Sequence, residues 1–142
     1  MYTMNNRTLK DLLYEQVARV GKALASPKRL EMLEMLAQGE KSVEAVAVAV
    51  AVDIKLASAH LKALKEARLV QSRRDGKRMI YRLSGQDVAQ LGVTLRQVAE
   101  DAVLNANYIL ARLKPVMSPA FEGYCMHEAL FSDGFLKDTG VE

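Results

Sequence analysis

The chain of 142 residues has no tryptophan, one cysteine, two histidines and three prolines, and each scarcity narrows its chemistry. A single thiol, Cys125, excludes an intramolecular disulfide framework and any Cys–Cys metal clip within one chain. No glycine-rich loop is present to cradle phosphate, and no Ser/His/Asp arrangement stands in a suggestive motif, so enzyme chemistry has no signature here. No apolar run approaches the roughly 20 residues that a membrane span needs. The start, Met1-Tyr2-Thr3-Met4-Asn5-Asn6-Arg7, is polar and lacks the apolar core of a signal peptide. The expectation is a cytoplasmic globular protein without a cofactor, not an enzyme and not a membrane partner.

What is present is charge, unevenly placed. The net charge of +3 is modest. Residues 1–52 carry seven Lys/Arg against six Asp/Glu, residues 53–82 nine against three, and residues 83–142 four against eight. A basic centre between near-neutral and acidic flanks suits a local phosphate-binding surface, although a merely solvated charged face has the same composition.

Apolar periodicity divides the chain into elements. Leu9, Leu12, Leu13, Val17, Val20 and Leu24 form a helical stripe, with Thr8 and Asp11 as a capping-box-like start. That helix should stop before Ser26-Pro27, because a residue preceding proline is pushed out of the α region. The same pair opens the next helix, with Ser26 as N-cap and Pro27 at the first helical position; Leu30, Leu33 and Leu36 continue it and Gly39 ends it. Ser42 can cap a third helix. The run from Val46 to Val52 alternates with period 2 and alone reads as a strand, but a helix start precedes it and Asp53 looks like the N-cap of another, so it reads as helix. From Ile54 to Ala67 the pattern is helical, with Ile54, Leu61 and Leu64 facing inward.

Then the period changes. Between Leu69 and Leu83 lies Asp75-Gly76, a hairpin signal, predicting two short strands around a basic tip. Ser84 and Asp87 open a last long helix whose apolar positions are Val88, Leu91, Leu95, Val98, Ala102, Ile109 and Leu113, a 3–4 spacing that suits helix pairing. Pro115 closes it. The expected fold is mainly α with a β-hairpin wing, a winged helix-turn-helix dimerising through its N- and C-terminal helices. Residues 1–115 form the DNA-binding and dimerisation domain and 116–142 a C-terminal tail.

Three stretches resemble the ArsR/SmtB family of repressors. Leu24-Ala25-Ser26-Pro27-Lys28-Arg29-Leu30 is similar to its A-L-A-D/S-P-x-R-L opening, and Ser58-Ala59-His60-Leu61-Lys62-Ala63-Leu64 to its S-x-H-L-x-x-L recognition helix. Ala67-Arg68-Leu69-Val70, Arg73-Arg74-Asp75-Gly76 and Ile80-Tyr81-Arg82-Leu83 look like its wing. About 60 residues carry motif and about 90 compatible topology. The opening also resembles a subgroup that often carries a C-terminal rhodanese domain, for which this chain is too short.

The resemblance implies a two-fold dimer on a pseudo-palindromic operator, inserting residues 54–67 of each chain into successive major grooves of double-stranded DNA. The candidate DNA-binding residues are Lys55, Leu56, Ser58, Ala59, His60, Lys62 and Lys65 on the helix and Arg73, Arg74, Lys77 and Arg78 on the wing. Ser58 can donate or accept at a base edge, and Lys62 and Lys65 suit phosphates. His60 is either a DNA contact or a packing histidine beside Leu61. Tyr81 reads as a wing residue packed on the core, and Met32 and Met35 as core filling.

Known sensing modes of the family find no match. Where a C-V-C thiolate pattern would stand, the residues are Ser42-Val43-Glu44. The last helix offers Asp87, Glu100 and Asp101 but no histidine for zinc. Ala51 stands where the turn usually has glycine, and Ala59 replaces a glutamine-like position. The cluster Tyr124-Cys125-Met126-His127-Glu128 remains: Cys125 and His127 could bind a soft metal or form a reactive thiolate, or the cysteine is incidental. The inducer is unspecified. The competing reading is a dimeric winged-helix interaction module that does not read specific DNA, or a sensor acting through Cys125.

Overall fold

A computed structural model describes residues 6–115. Its order is α1 (Asn6–Leu24), α2 (Pro27–Ala37), β1 (Lys41–Ser42), α3 (Val43–Ala49), α4 (Ile54–Glu66), β2 (Val70–Asp75), β3 (Arg78–Leu83) and α5 (Gln86–Leu113). Among the described residues packing separates 6–92 from 93–115, so the break falls inside α5. The boundary expected at 115 lies two residues past the end of α5 at Leu113.

In the first unit the helix ends follow cap chemistry. The Ser26 hydroxyl accepts from the Arg29 amide at 3.4 Å, with Pro27 opening α2. The Ser42 hydroxyl accepts from the Ala45 amide at 3.2 Å, and the Asp53 carboxylate from the Leu56 amide at 2.7 Å. Each satisfies one of the donors that a helix N-terminus leaves without a partner. The alternating Val-Ala run is helical up to Ala49, with Val50 as C-cap. Two starts differ from expectation. Thr8 lies inside α1, which already runs at Asn6, and Gln86 rather than the residue after Ser84 opens α5. There the Asp87 carboxylate accepts from the Val88 amide at 3.0 Å.

Two cations at the start of α2 cap the ends of other helices. Lys28 Nζ donates to the Val50 carbonyl at 2.7 Å, at the end of α3. Arg29 donates to the carbonyls of Ala23 and Lys22 at the end of α1, the latter at 3.2 Å. Terminal carbonyls that would otherwise need water are thereby tied to α2.

The core of this unit gathers Met32, Leu33 and Leu36 from α2, Val43, Val46, Ala47 and Val50 from α3, and Ala57, Leu61 and Leu64 from α4. Val70 and Tyr81 of the sheet close it, with Met35 and Val88 packed at its edge. Each fully buried leucine contributes roughly 1.5–3 kcal/mol relative to exposure. The core roles expected for Met32, Met35 and Tyr81 hold. Ile54 does not face inward: it is 54% exposed, and the small Ala57, fully buried, takes the inner position of the first turn. A large side chain there would hold α4 away from α2 and α3.

The sheet has three antiparallel strands in the order β1-β3-β2. The hairpin pairs Val70 with Leu83 through to Asp75 with Arg78, leaving Gly76 and Lys77 as a two-residue loop. Gly76 adopts φ +60°, the left-handed geometry that such tight turns demand. β1 adds Lys41 opposite Tyr81 and Ser42 opposite Ile80, a strand absent from the sequence reading.

Candidate nucleic-acid interface

Because Ala57, Leu61 and Leu64 turn one face of α4 into the core, the residues between them must face out. Lys55, Leu56, Ser58, Ala59, Lys62 and Lys65 are all exposed, and His60 is half-buried. Leu56 is 43% exposed, which leaves an apolar group among polar neighbours near the start of the helix. His60 sits with its Nδ1 3.5 Å from Arg29 Nη1, at the edge of hydrogen-bond range. Since an arginine can only donate, a bond here leaves Nδ1 as acceptor and Nε2 as the protonated nitrogen.

The wing residues Arg73, Arg74, Lys77 and Arg78 are exposed as well. They are not equivalent. Arg73 Nη2 makes a 2.6 Å ion pair with Glu40, from the loop ahead of β1, and its Nη1 lies 3.9 Å from Asp75. The Arg73 guanidinium holds the Glu40 carboxyl below the usual carboxylate range, and Glu40 in turn raises Arg73. Arg74 Nε reaches the Gly76 carbonyl at 3.4 Å. Among the described residues no side-chain hydrogen bond or ion pair engages Lys77 or Arg78. The sequence could not reveal Glu40 as a partner, because it lies 33 residues from Arg73.

Helix and wing are joined. Lys65 Nζ donates to the Ser72 hydroxyl at 2.7 Å, and a three-residue connection, Ala67 to Leu69, links α4 to β2. Lys62 pairs loosely with Glu66 at 3.9 Å. Arg82 donates to the Gln71 side chain at 2.9 Å across the hairpin. These exposed contacts orient side chains more than they stabilise the fold. Between α3 and α4, Ala51 adopts φ +55°, and after α4 Arg68 adopts φ +61°. Both are left-handed positions that glycine would occupy without steric cost.

Chemically, the arrangement is a surface of fixed cations around a helix face with few acidic groups, suited to a polyanion with readable edges. Among the described residues no group of three or more His, Cys, Asp or Glu side chains is placed to hold a metal ion. Among them, too, no helix is long and apolar enough to cross a membrane. Cys125 and His127 lie outside the described residues.

Comparison with known proteins finds two kinds of relative. Residues 26–72 match the family model described as "Bacterial regulatory protein, arsR family". The chain is 51% identical over 92 residues to the HTH-type transcriptional regulator Rv0324 of Mycobacterium tuberculosis, a match covering 65% of this chain and 41% of that one. Among solved structures, the homodimeric winged helix-turn-helix DNA-binding domain (fragment 1–100) Mb0332 from Mycobacterium bovis, a possible ArsR-family transcriptional regulator, is 48% identical with a TM-score of 0.64. That match covers 71% of this chain and 92% of the fragment. The second kind is an enzyme. The probable glycine dehydrogenase (decarboxylating) subunit 2 of Caulobacter vibrioides is 79% identical over 48 residues, 33% of this chain and 9% of the enzyme. The corresponding subunits of Exiguobacterium sibiricum and Staphylococcus haemolyticus match over 50 and 47 residues.

Proposed function

The chain belongs to the arsR family of bacterial regulatory proteins, DNA-binding transcription regulators with a winged helix-turn-helix, and from that premise we propose that it is a repressor binding a pseudo-palindromic operator as a homodimer. The observation that carries this reading is the two-sidedness of α4. Its inner face is sealed by Ala57, Leu61 and Leu64, while Lys55, Leu56, Ser58, Ala59 and Lys62 are exposed, with a basic wing following in the chain. Ser58 and Ala59, with Leu56 for a thymine methyl, form the base-reading set; His60 offers Nε2–H as a donor. Lys62, Lys65, Arg74, Lys77 and Arg78 serve phosphates, which position the protein without carrying sequence information.

The dimer supplies the second half-site. On α1, Leu9, Leu12, Leu13 and Val17 are between 45% and 60% exposed and lie on one stripe. Such a stripe on a helix is covered when a second copy packs against it, and the solved Mycobacterium bovis relative is a homodimer. Two α4 helices related by a two-fold axis would enter major grooves one turn apart, about 34–36 Å. No enzyme activity is part of this reading, since the enzyme match covers only 9% of that protein.

Fluorescence anisotropy on DNA from upstream of its own gene, over a salt series with scrambled competitor, tests the reading. The expected result is saturation at one dimer per site and affinity at least 10³-fold above the scrambled duplex. Equal binding to both duplexes would instead favour a winged-helix interaction module.

A further inference from the structure

Where the first two turns of α4 meet solvent, they are largely apolar. Ile54, which its size would send to the core, is 54% exposed, Leu56 is 43% exposed, and Ala59 is exposed with them. Ile54 and Leu56 stand two positions apart, hence about 200° apart around the helix, on either flank of Ser58, Lys55 and Ala59. Ala57, Leu61 and Leu64 occupy the remaining side and face the core. The apolar pair therefore frames the outward surface of the helix.

The polar side chains that usually read bases are scarce on this surface. From Ile54 to Glu66 there is no arginine, asparagine or glutamine, the residues that grip guanine or adenine edges at two points. Acceptors for the cytosine amino group are wanting as well. The Asp53 carboxylate is engaged with the Leu56 amide at 2.7 Å, and Glu66 stands at the far end of the helix, 3.9 Å from Lys62. Lys55 and Lys62 carry point charges that a phosphate satisfies as readily as a guanine. Ser58 supplies one hydroxyl, and the half-buried His60, its Nδ1 facing Arg29 at 3.5 Å, supplies one N–H. Against this small polar set stand three exposed apolar side chains. The major groove has one apolar feature, the C5 methyl of thymine. The lysines around the patch favour a polyanion as its occupant over the apolar face of another protein.

We infer that operator recognition runs mainly through C5 methyl groups, with Ile54 and Leu56 taking methyls on the two flanks of α4 and Ala59 between them. This rests on the proposed function and specifies what that site reads. It makes Ile54 a specificity-determining residue. Cytosine methylated at C5 carries the same group at the same place in the groove, so methylation of an operator is read by the same side chains. One methyl moved from water into apolar contact contributes about 0.8 kcal/mol, about fourfold in binding. A two-fold operator presents each position twice, so one symmetric pair of methyls amounts to about 15-fold.

The test uses the full chain and a duplex from upstream of its own gene, made with thymidine or with deoxyuridine throughout, in an anisotropy titration. Deoxyuridine pairs as thymidine does but lacks the methyl. The uridine form is expected to bind at least fivefold more weakly, while a scrambled duplex binds within twofold in both forms. In Ile54→Ala/Leu56→Ala, whose two sites are exposed and whose lysines are intact, the difference between the two operator forms is expected to shrink by half or more. At a position where uridine costs affinity, a C·G pair methylated at cytosine C5 is expected to bind at least threefold more tightly than the unmethylated pair. A smaller effect in any of these comparisons, or a scrambled duplex that loses as much as the operator, would overturn the inference and leave the regulator standing. A parent chain that does not prefer its operator to the scrambled duplex would instead overturn the functional reading.

Discussion

Ala51 and Glu40 show how single side chains set the properties of the helix-turn-helix and the wing. Ala51 holds φ +55° in the α3–α4 turn, a conformation costing an L-residue roughly 1–2 kcal/mol. Glycine loses more unfolded-state entropy, roughly 0.5–1 kcal/mol. Ala51→Gly is therefore expected to stabilise the protein by about 0.5–1 kcal/mol, read as a shift in the urea midpoint at constant slope. Glu40 withholds Arg73 from solvent anions through a 2.6 Å ion pair. Glu40→Gln should release that guanidinium, tightening binding to operator and scrambled DNA alike and steepening the salt slope by about one. The pH dependence has a definite sign. Arg73 lowers the Glu40 carboxyl, so the pair is present above the ordinary carboxylate range and is lost as pH falls through the lowered value. Binding at fixed salt should thus gain an acid-side increment that Glu40→Gln lacks.

At the scale of elements, α4 separates folding from reading. Leu64→Ala, at a fully buried site, is expected to cost about 2–5 kcal/mol in chemical denaturation. Lys62→Ala should leave stability nearly unchanged, weaken every duplex similarly and lower the salt slope by about one. Ser58→Ala should relax preference at one base pair by about 1–3 kcal/mol, seen by scanning operator variants. The sequence was most legible where one residue's chemistry decides a structure: Ser26, Ser42 and Asp53 cap the helices they were expected to cap, and Gly76 turns the hairpin. It was less legible where long-range packing decides. β1 exists only because Lys41 and Ser42 meet Tyr81 and Ile80, some 40 residues on. Ile54 reads as inward because it is large and apolar, whereas the structure leaves it 54% exposed and buries the smaller Ala57 fully. The exposure of most of the α4 and wing cations could be anticipated from period, but the pairing of Arg73 with Glu40 could not. The 3–4 apolar spacing expected from Val88 to Leu113 lies on one continuous helix, Gln86–Leu113.

For the whole molecule, the uneven charge and the uncovered α1 stripe govern behaviour together. A chain whose stripe of Leu9, Leu12, Leu13 and Val17 is covered by a second copy has no stability independent of concentration. Its thermal midpoint should rise with protein concentration, and Leu13→Asp should abolish that dependence. The basic segment of residues 53–82, nine Lys/Arg against three Asp/Glu, attracts a polyanion before contact, which speeds association at low salt.

The bond from Lys65 to Ser72 and the short corner from Ala67 to Leu69 keep helix and wing at a set span. On a duplex, two probes at fixed separation act as a caliper. On the proposed reading one would sit in a major groove and the other over the neighbouring backbone, so the molecule would measure the distance between them. Sequences that narrow or stiffen the intervening minor groove would match or miss that span, and the protein would discriminate among base pairs that no side chain touches.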